Sequence, residues 1–266
     1  MNNILTLASK LYQLADICKE AAELLEAVQH EIPIQSTAPL RLNDEPLYAD
    51  DLIEWPTTDH LIIEPKFSTL FNDCLNTTAG SILELIPAQC SPIEFDTTRT
   101  REILSLENHD GDYIRHIKPP DTDFELIIIN YSLEFNKNPL EILLSCQKML
   151  TTNGKIYLLS RPWTSSNGGY QSHYLNRAYL HLCSNLEHNC EVQTKFVRPQ
   201  AQIQELIENA KLKIITKLLH TQTPPEIITK NKEIMDRIIQ RTWNAIRAKD
   251  AISIMSLETM EFVLAK

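Results

Sequence analysis

The chain has 266 residues, of which 43% are hydrophobic and 23% charged, and it carries a formal net charge of -10. That composition belongs to a globular chain with enough apolar residues for a sizeable core. The acidic balance argues against a broad surface for DNA or RNA, which needs clustered Lys and Arg. No apolar run approaches the roughly 20 residues that cross a bilayer.

The opening stretch, MNNILTLASKLYQLADICKEAAELLEAV, has no basic n-region and carries polar residues throughout, so it does not read as a signal peptide. Cys18, Cys74, Cys90, Cys146, Cys183 and Cys190 are scattered with no CxxC pair, which predicts reduced thiols in a cytoplasmic protein. Only five glycines occur.

Ile4, Leu7, Leu11, Leu14, Ala15, Ile17, Ala21, Leu24, Leu25 and Val28 recur at helical spacing and predict an amphipathic N-terminal helix. A Pro-bearing loop from about Pro33 to Pro46 follows. The expected organisation is therefore a helix and linker over 1–46 and an α/β domain over 47–266. His60–Glu64 (HLIIE) is a short apolar run, Phe67–Asn76 reads as a helix, Ser81–Ile86 (SILELI) as a strand and Thr98–Leu106 as a helix. Tyr113–Ile117 is a weak strand signal. Phe124–Asn130 (FELIIIN) is apolar on both faces, as a central parallel strand requires.

Pro139–Leu150 reads as a helix with Pro at its first position, closed by Thr152-Asn153-Gly154, and Lys155–Ser160 (KIYLLS) as the next strand. A polar loop over 161–169, a helix over 170–186, a helix over Gln200–Ala210, a strand over Leu212–His220, a long helix over Pro225–Ala248 and a strand over Ser256–Lys266 complete the chain. Alternating strands and helices predict a three-layer α/β fold, with a mainly parallel sheet of about seven strands and helices on both faces.

The segment DFELIIINYSLEFNKNPLEILLSCQKMLTTNGKIYLLSR, Asp123–Arg161, resembles the fourth strand, fourth helix and fifth strand of the class I S-adenosylmethionine-dependent methyltransferases. Phe124-Glu125, Glu134, Asn138-Pro139 and Asn153-Gly154 carry the likeness, and the later helix, strand, helix, strand order is similar to that family's sixth and seventh strands. The resemblance implies a Rossmann-like methyltransferase fold and S-adenosylmethionine as cofactor. Its first motif departs from the family pattern, because SILELIPAQCSPIEFD has Ile86, Pro87 and Ala88 where a glycine turn lets main-chain N–H groups approach the cofactor.

Two strand registers are open. In one, 81–86 is the first strand and Ile93–Asp96 the second, with Asp96 on the ribose hydroxyls, although a parallel crossover needs about a dozen residues. In the other, His60–Glu64 comes first, 81–86 second, and Ser91-Pro92-Ile93-Glu94 starts a helix as a capping box. Glu84 is a cofactor carboxylate in both, its alternative being a strand-end acid in solvent.

Asn130 ends the central strand at the edge where open α/β sheets bind ligands, and is read as cofactor-binding or as a turn former. Glu134 and His173 are the candidate general bases; Glu134 also reads as a solvated loop acid. The stretch from Arg161 to Gln171 leaves a strand end and gathers acceptor-binding candidates Arg161, Trp163, Asn167 and Tyr170, with Trp163 otherwise a core residue. His173, His181, Cys183, His188 and Cys190 lack the convergent spacing of a zinc site, so no metal is expected.

Two functions are carried forward. The first is methyl transfer to a small-molecule or protein acceptor. The second is a non-catalytic binding or regulatory subunit on the same fold, contacting a partner through the N-terminal helix or the 161–177 loop.

Overall fold

The computed structural model describes residues 65, 68–87, 91–106, 123–166, 179–182, 197–242 and 248–266. The predicted N-terminal helix and linker, the 60–64 run, the Tyr113–Ile117 strand and most of the predicted 170–186 helix lie outside them. Among the described residues no helix is long and apolar enough to cross a membrane.

Six strands make one sheet: β1 (Ile82–Pro87), β2 (Arg101–Leu106), β3 (Phe124–Asn130), β4 (Leu150–Ser160), β5 (Lys213–Thr221) and β6 (Leu257–Ala265), in the order β2-β1-β3-β4-β6-β5. β2, β1, β3 and β4 are parallel, while β6 runs antiparallel to both β4 and β5. The FELIIIN run is therefore the parallel centre of the sheet. Its alternate residues feed two cores, as a strand buried on both faces must. Ile127 and Ile129 pack with α2 (Pro139–Met149) and α3 (Gln200–Asn209) through Ile142, Leu143, Cys146, Ile203 and Ile207. Leu126 and Ile128 pack with α1 (Thr69–Thr77) through Phe71 and Cys74. Burial pushes the free thiols of Cys74 and Cys146 up to about 11 and about 12, so both stay protonated core residues.

Four expectations are corrected. Arg101–Leu106 is a strand, not part of a 98–106 helix. Arg, Glu and Leu favour helix locally, but the parallel ladder with β1 overrides that weak preference. Neither register holds in full: 82–87 lies beside the central strand, but its other neighbour is 101–106, and residues 91–97 are irregular rather than a strand or a capped helix. The crossover from β1 to β2 thus has no regular element among its described residues, and Asp96 precedes β2 instead of ending a strand.

The long 225–248 helix is broken into α4 (Glu226–Thr229) and α5 (Lys232–Arg241), with α6 (Ala248–Met255) following. Asn231 causes the break by accepting a hydrogen bond from Ile234 N at 3.1 Å, an N-cap that restarts the helix. Finally, α2 ends at Met149 with extended backbone at Leu150, and Gly154 lies inside β4 rather than at a left-handed cap. Phe124 pairs with Leu150 but Leu126 with Lys155, so 151–154 bulge out of the ladder. A Cβ on Gly154 would stand 2.8 Å from the Leu150 side chain, which explains glycine there.

Candidate functional site

The carboxyl ends of β1–β5 and the amino end of β6 share one rim, and β3 breaks there at Tyr131, whose φ is 49°. Left-handed backbone in a bulky residue is strained, and such strain clusters at sites. The turn is held by Tyr131 N on Leu159 O at 3.0 Å and by Ser132 Oγ, which donates to Leu85 O at 2.9 Å. Asn130 sits just before it. Its Oδ1 is buried and has no hydrogen-bond partner among the described residues.

Glu134 lies in the short turn Leu133–Phe135 and is 2% exposed. Its Oε1 accepts from Ser160 Oγ at 2.9 Å and from Arg161 N. Its Oε2 is buried with no hydrogen-bond partner among the described residues. Burial raises its pKa above the ordinary carboxyl value, against the lowering effect of Arg161 N, Ser160 and the Arg161 charge. Arg198 fixes the loop from below, donating to Leu133 O and Asn136 O at 3.1 Å each.

Arg161 is buried at the end of β4 with its guanidinium 4.7 Å from the centre of the Tyr131 ring. Its charge acts on Glu134 and on Glu258, a second buried carboxylate supplied by β6. Glu258 accepts from Ser166 N at 2.9 Å, Ser166 Oγ at 2.6 Å and Tyr179 Oη at 3.3 Å. Its pKa is also raised by burial. A buried cation acting on two acids, over a strained tyrosine, can orient a polar ligand and exchange a proton with it.

The structure brings Asn130, Glu134 and Arg161 to this rim. Trp163 is nearby but buried, its ring edge-on to His181 at 5.8 Å and its carbonyl 2.6 Å from His181 Nε2, which is the packing alternative. Asn167, Tyr170 and His173 lie outside the described residues.

Glu84 does not reach the rim. It sits within β1, fully buried, with Oε1 accepting from Ile93 N at 2.9 Å and Oε2 paired with Arg101. Asp96 is exposed ahead of the amino end of β2, at the opposite edge of the sheet from that rim. Glu258 was missed, because one acid inside a terminal strand gives no signal until the antiparallel strand carries it to the rim.

The strand order, the parallel centre, the reversed β6 and the cores on both faces define a three-layer α/β fold with a mainly parallel sheet. No family model matches the chain, and no curated protein does. Solved structures similar to it include the plantazolicin methyltransferase BamL, at 10% identity over 79% of this chain and 85% of that one, with a TM-score of 0.39. The [4+2]-cyclase SpnF is 8% identical over 76% of this chain and 80% of its own, with a TM-score of 0.40. The geranyl diphosphate C-methyltransferase of Streptomyces coelicolor A3(2) is 8% identical over 73% and 77%, with a TM-score of 0.37.

Proposed function

We propose that the chain is an S-adenosylmethionine-dependent methyltransferase that takes a small-molecule or protein acceptor at the β3–β4–β6 part of the rim. The reading is carried by Glu134, a buried carboxyl of raised pKa at the carboxyl edge of the sheet, with Oε2 lacking a hydrogen-bond partner among the described residues. A carboxyl in that state suits proton exchange with an acceptor, and Arg161 beside it suits orientation of an anionic or polar group.

The fit to the nucleoside rests on the orphaned Asn130 Oδ1, an acceptor at the end of the central strand that a hydroxyl or amino donor would satisfy. When bound, the nucleoside supplies an electrophilic methyl group. The chain's part is to hold the acceptor with Arg161, keep water out with the buried Trp163 loop, and accept a proton at Glu134.

One observation favours the second reading, a binding or regulatory subunit without catalysis. Glu84 and Pro87 occupy the strand where the family grips its cofactor, and here one is committed to an internal ion pair while the other lacks an N–H. In that reading residues 1–46 form the separate contact element.

Isothermal titration calorimetry with S-adenosylmethionine and S-adenosylhomocysteine decides between them. Sub-millimolar binding, weakened in Asn130→Ala, is expected for the enzyme. Absence of heat with both ligands rejects it in favour of the subunit.

A further inference from the structure

A second polar constellation lies on the α1 face of the sheet, outside the Glu134–Arg161–Glu258 cluster. Glu261 is fully buried within β6. Three groups converge on its carboxyl: Ser68 Oγ and Tyr157 Oη donate to Oε2, the latter at 2.7 Å, and His220 Nε2 lies 2.6 Å from Oε1. Ser68 is also the N-cap of α1, accepting from Phe71 N at 3.3 Å, so the helix start is tied to the same acid. An ionised carboxyl is acceptor-only, and a buried one facing two hydroxyls and an imidazole has the partners that state requires.

The consequence falls on His220. A carboxylate cannot donate, so against an ionised Glu261 the hydrogen of this contact belongs to Nε2, and in the neutral ring the lone pair is then on Nδ1. The His220 side chain is 33% exposed, whereas its carboxylate partner is sealed. His220 stands opposite Thr259 across the β5–β6 ladder, one residue before β5 ends at Thr221. The imidazole therefore borders the same rim as Asn130 and Tyr131, reached from the β5 side.

We propose that His220 and Glu261 form a proton-accepting dyad for a rim ligand that carries an ionisable O–H, S–H or N–H group. The ligand's heteroatom–hydrogen bond breaks heterolytically, its electron pair stays on the heteroatom, and the proton forms an N–H bond at Nδ1. The resulting imidazolium is held against the Glu261 carboxylate, the orienting logic of a buried acid behind a catalytic histidine. His220 is the group that meets the ligand and Glu261 is a positioning residue. No other reactant is needed, so the dyad stands whether or not the rim holds an S-adenosyl nucleoside.

The test uses the full chain with 15N-labelled histidine, the His220 signals being assigned by their loss in His220→Gln. The neutral ring is expected as the Nε2–H tautomer, with that preference lost in Glu261→Gln. A dominant Nδ1–H tautomer, or no change in Glu261→Gln, overturns the dyad. 4-Nitrophenol, whose anion absorbs visibly, then reports proton uptake: bound to the native chain it should be ionised several-fold more than in buffer, and in His220→Gln it should not. Equal ionisation in both, or no binding at millimolar probe, also overturns it. Calorimetry with S-adenosylmethionine is read separately, so failure of the methyltransferase reading is not confused with failure of the dyad.

Discussion

Arg101 joins three parts of the chain, its guanidinium pairing with the Glu84 carboxylate and donating to the Ile93 carbonyl at 2.7 Å. The Phe95 ring lies 4.3 Å from the same guanidinium and meets Phe71 of α1 edge-on. These contacts do the work that a crossover helix would otherwise do, fixing the irregular segment between β1 and β2 onto the sheet.

Glu84→Ala is therefore expected to destabilise the fold by about 3 kcal/mol, since it strips the partner from a largely buried cation and orphans Ile93 N. Urea unfolding measures this. Affinity for S-adenosylmethionine, corrected for the folded fraction, should not change; a tenfold loss would return Glu84 to the ligand site.

Glu134 makes a prediction with a definite sign. Its folded pKa is raised from 4.5, so in the window above 4.5 the native state holds more protons than the unfolded one. Its contribution is full below that window and is lost as pH rises through the folded value. Glu258 adds in the same direction. Glu134→Gln should flatten the fall in thermal midpoint as pH rises above 4.5; an unchanged slope refutes the assignment. Glu125 works oppositely. Its pKa is lowered by the N–H groups of Ala79 and Gly80, so its contribution appears above 4.5 and is lost as pH falls.

Asn130→Ala separates ligand binding from folding. Because Oδ1 has no hydrogen-bond partner among the described residues, removing it should leave the unfolding midpoint nearly unchanged. If the nucleoside uses that oxygen, affinity drops about tenfold, or about 1.4 kcal/mol. Calorimetry reads the second effect and thermal melts the first.

Gly154→Ala tests the β4 bulge. The added methyl would meet Leu150, which is fully buried, so the side chain cannot yield into solvent. A loss of roughly 1–3 kcal/mol in chemical denaturation is expected for such overpacking. A neutral substitution would show that the bulge relaxes freely.

The sheet's centre was legible because FELIIIN and KIYLLS are long apolar runs, which only a strand covered on both faces tolerates. The edge strand β2 was not, since Arg101, Glu102 and Ser105 give it the polarity of a surface helix while its identity comes from pairing. Asn130 and Arg161 could be placed because they follow unmistakable strands. Glu84 could not, because the burial of its carboxylate depends on an arginine across a crossover of irregular shape. The 2.6 Å contact between His220 and Glu261 joins residues separated by 41 positions, and neither carries a local motif.

The reversal of β6 also orders events in time. Of the described strands it is the last to leave the ribosome, yet it supplies Glu258, Thr259 and Glu261 to the edge where β3 and β4 end. The carboxylates that Ser166, Tyr179, His220 and Tyr157 meet in the folded sheet thus all come from the strand synthesised last among those described.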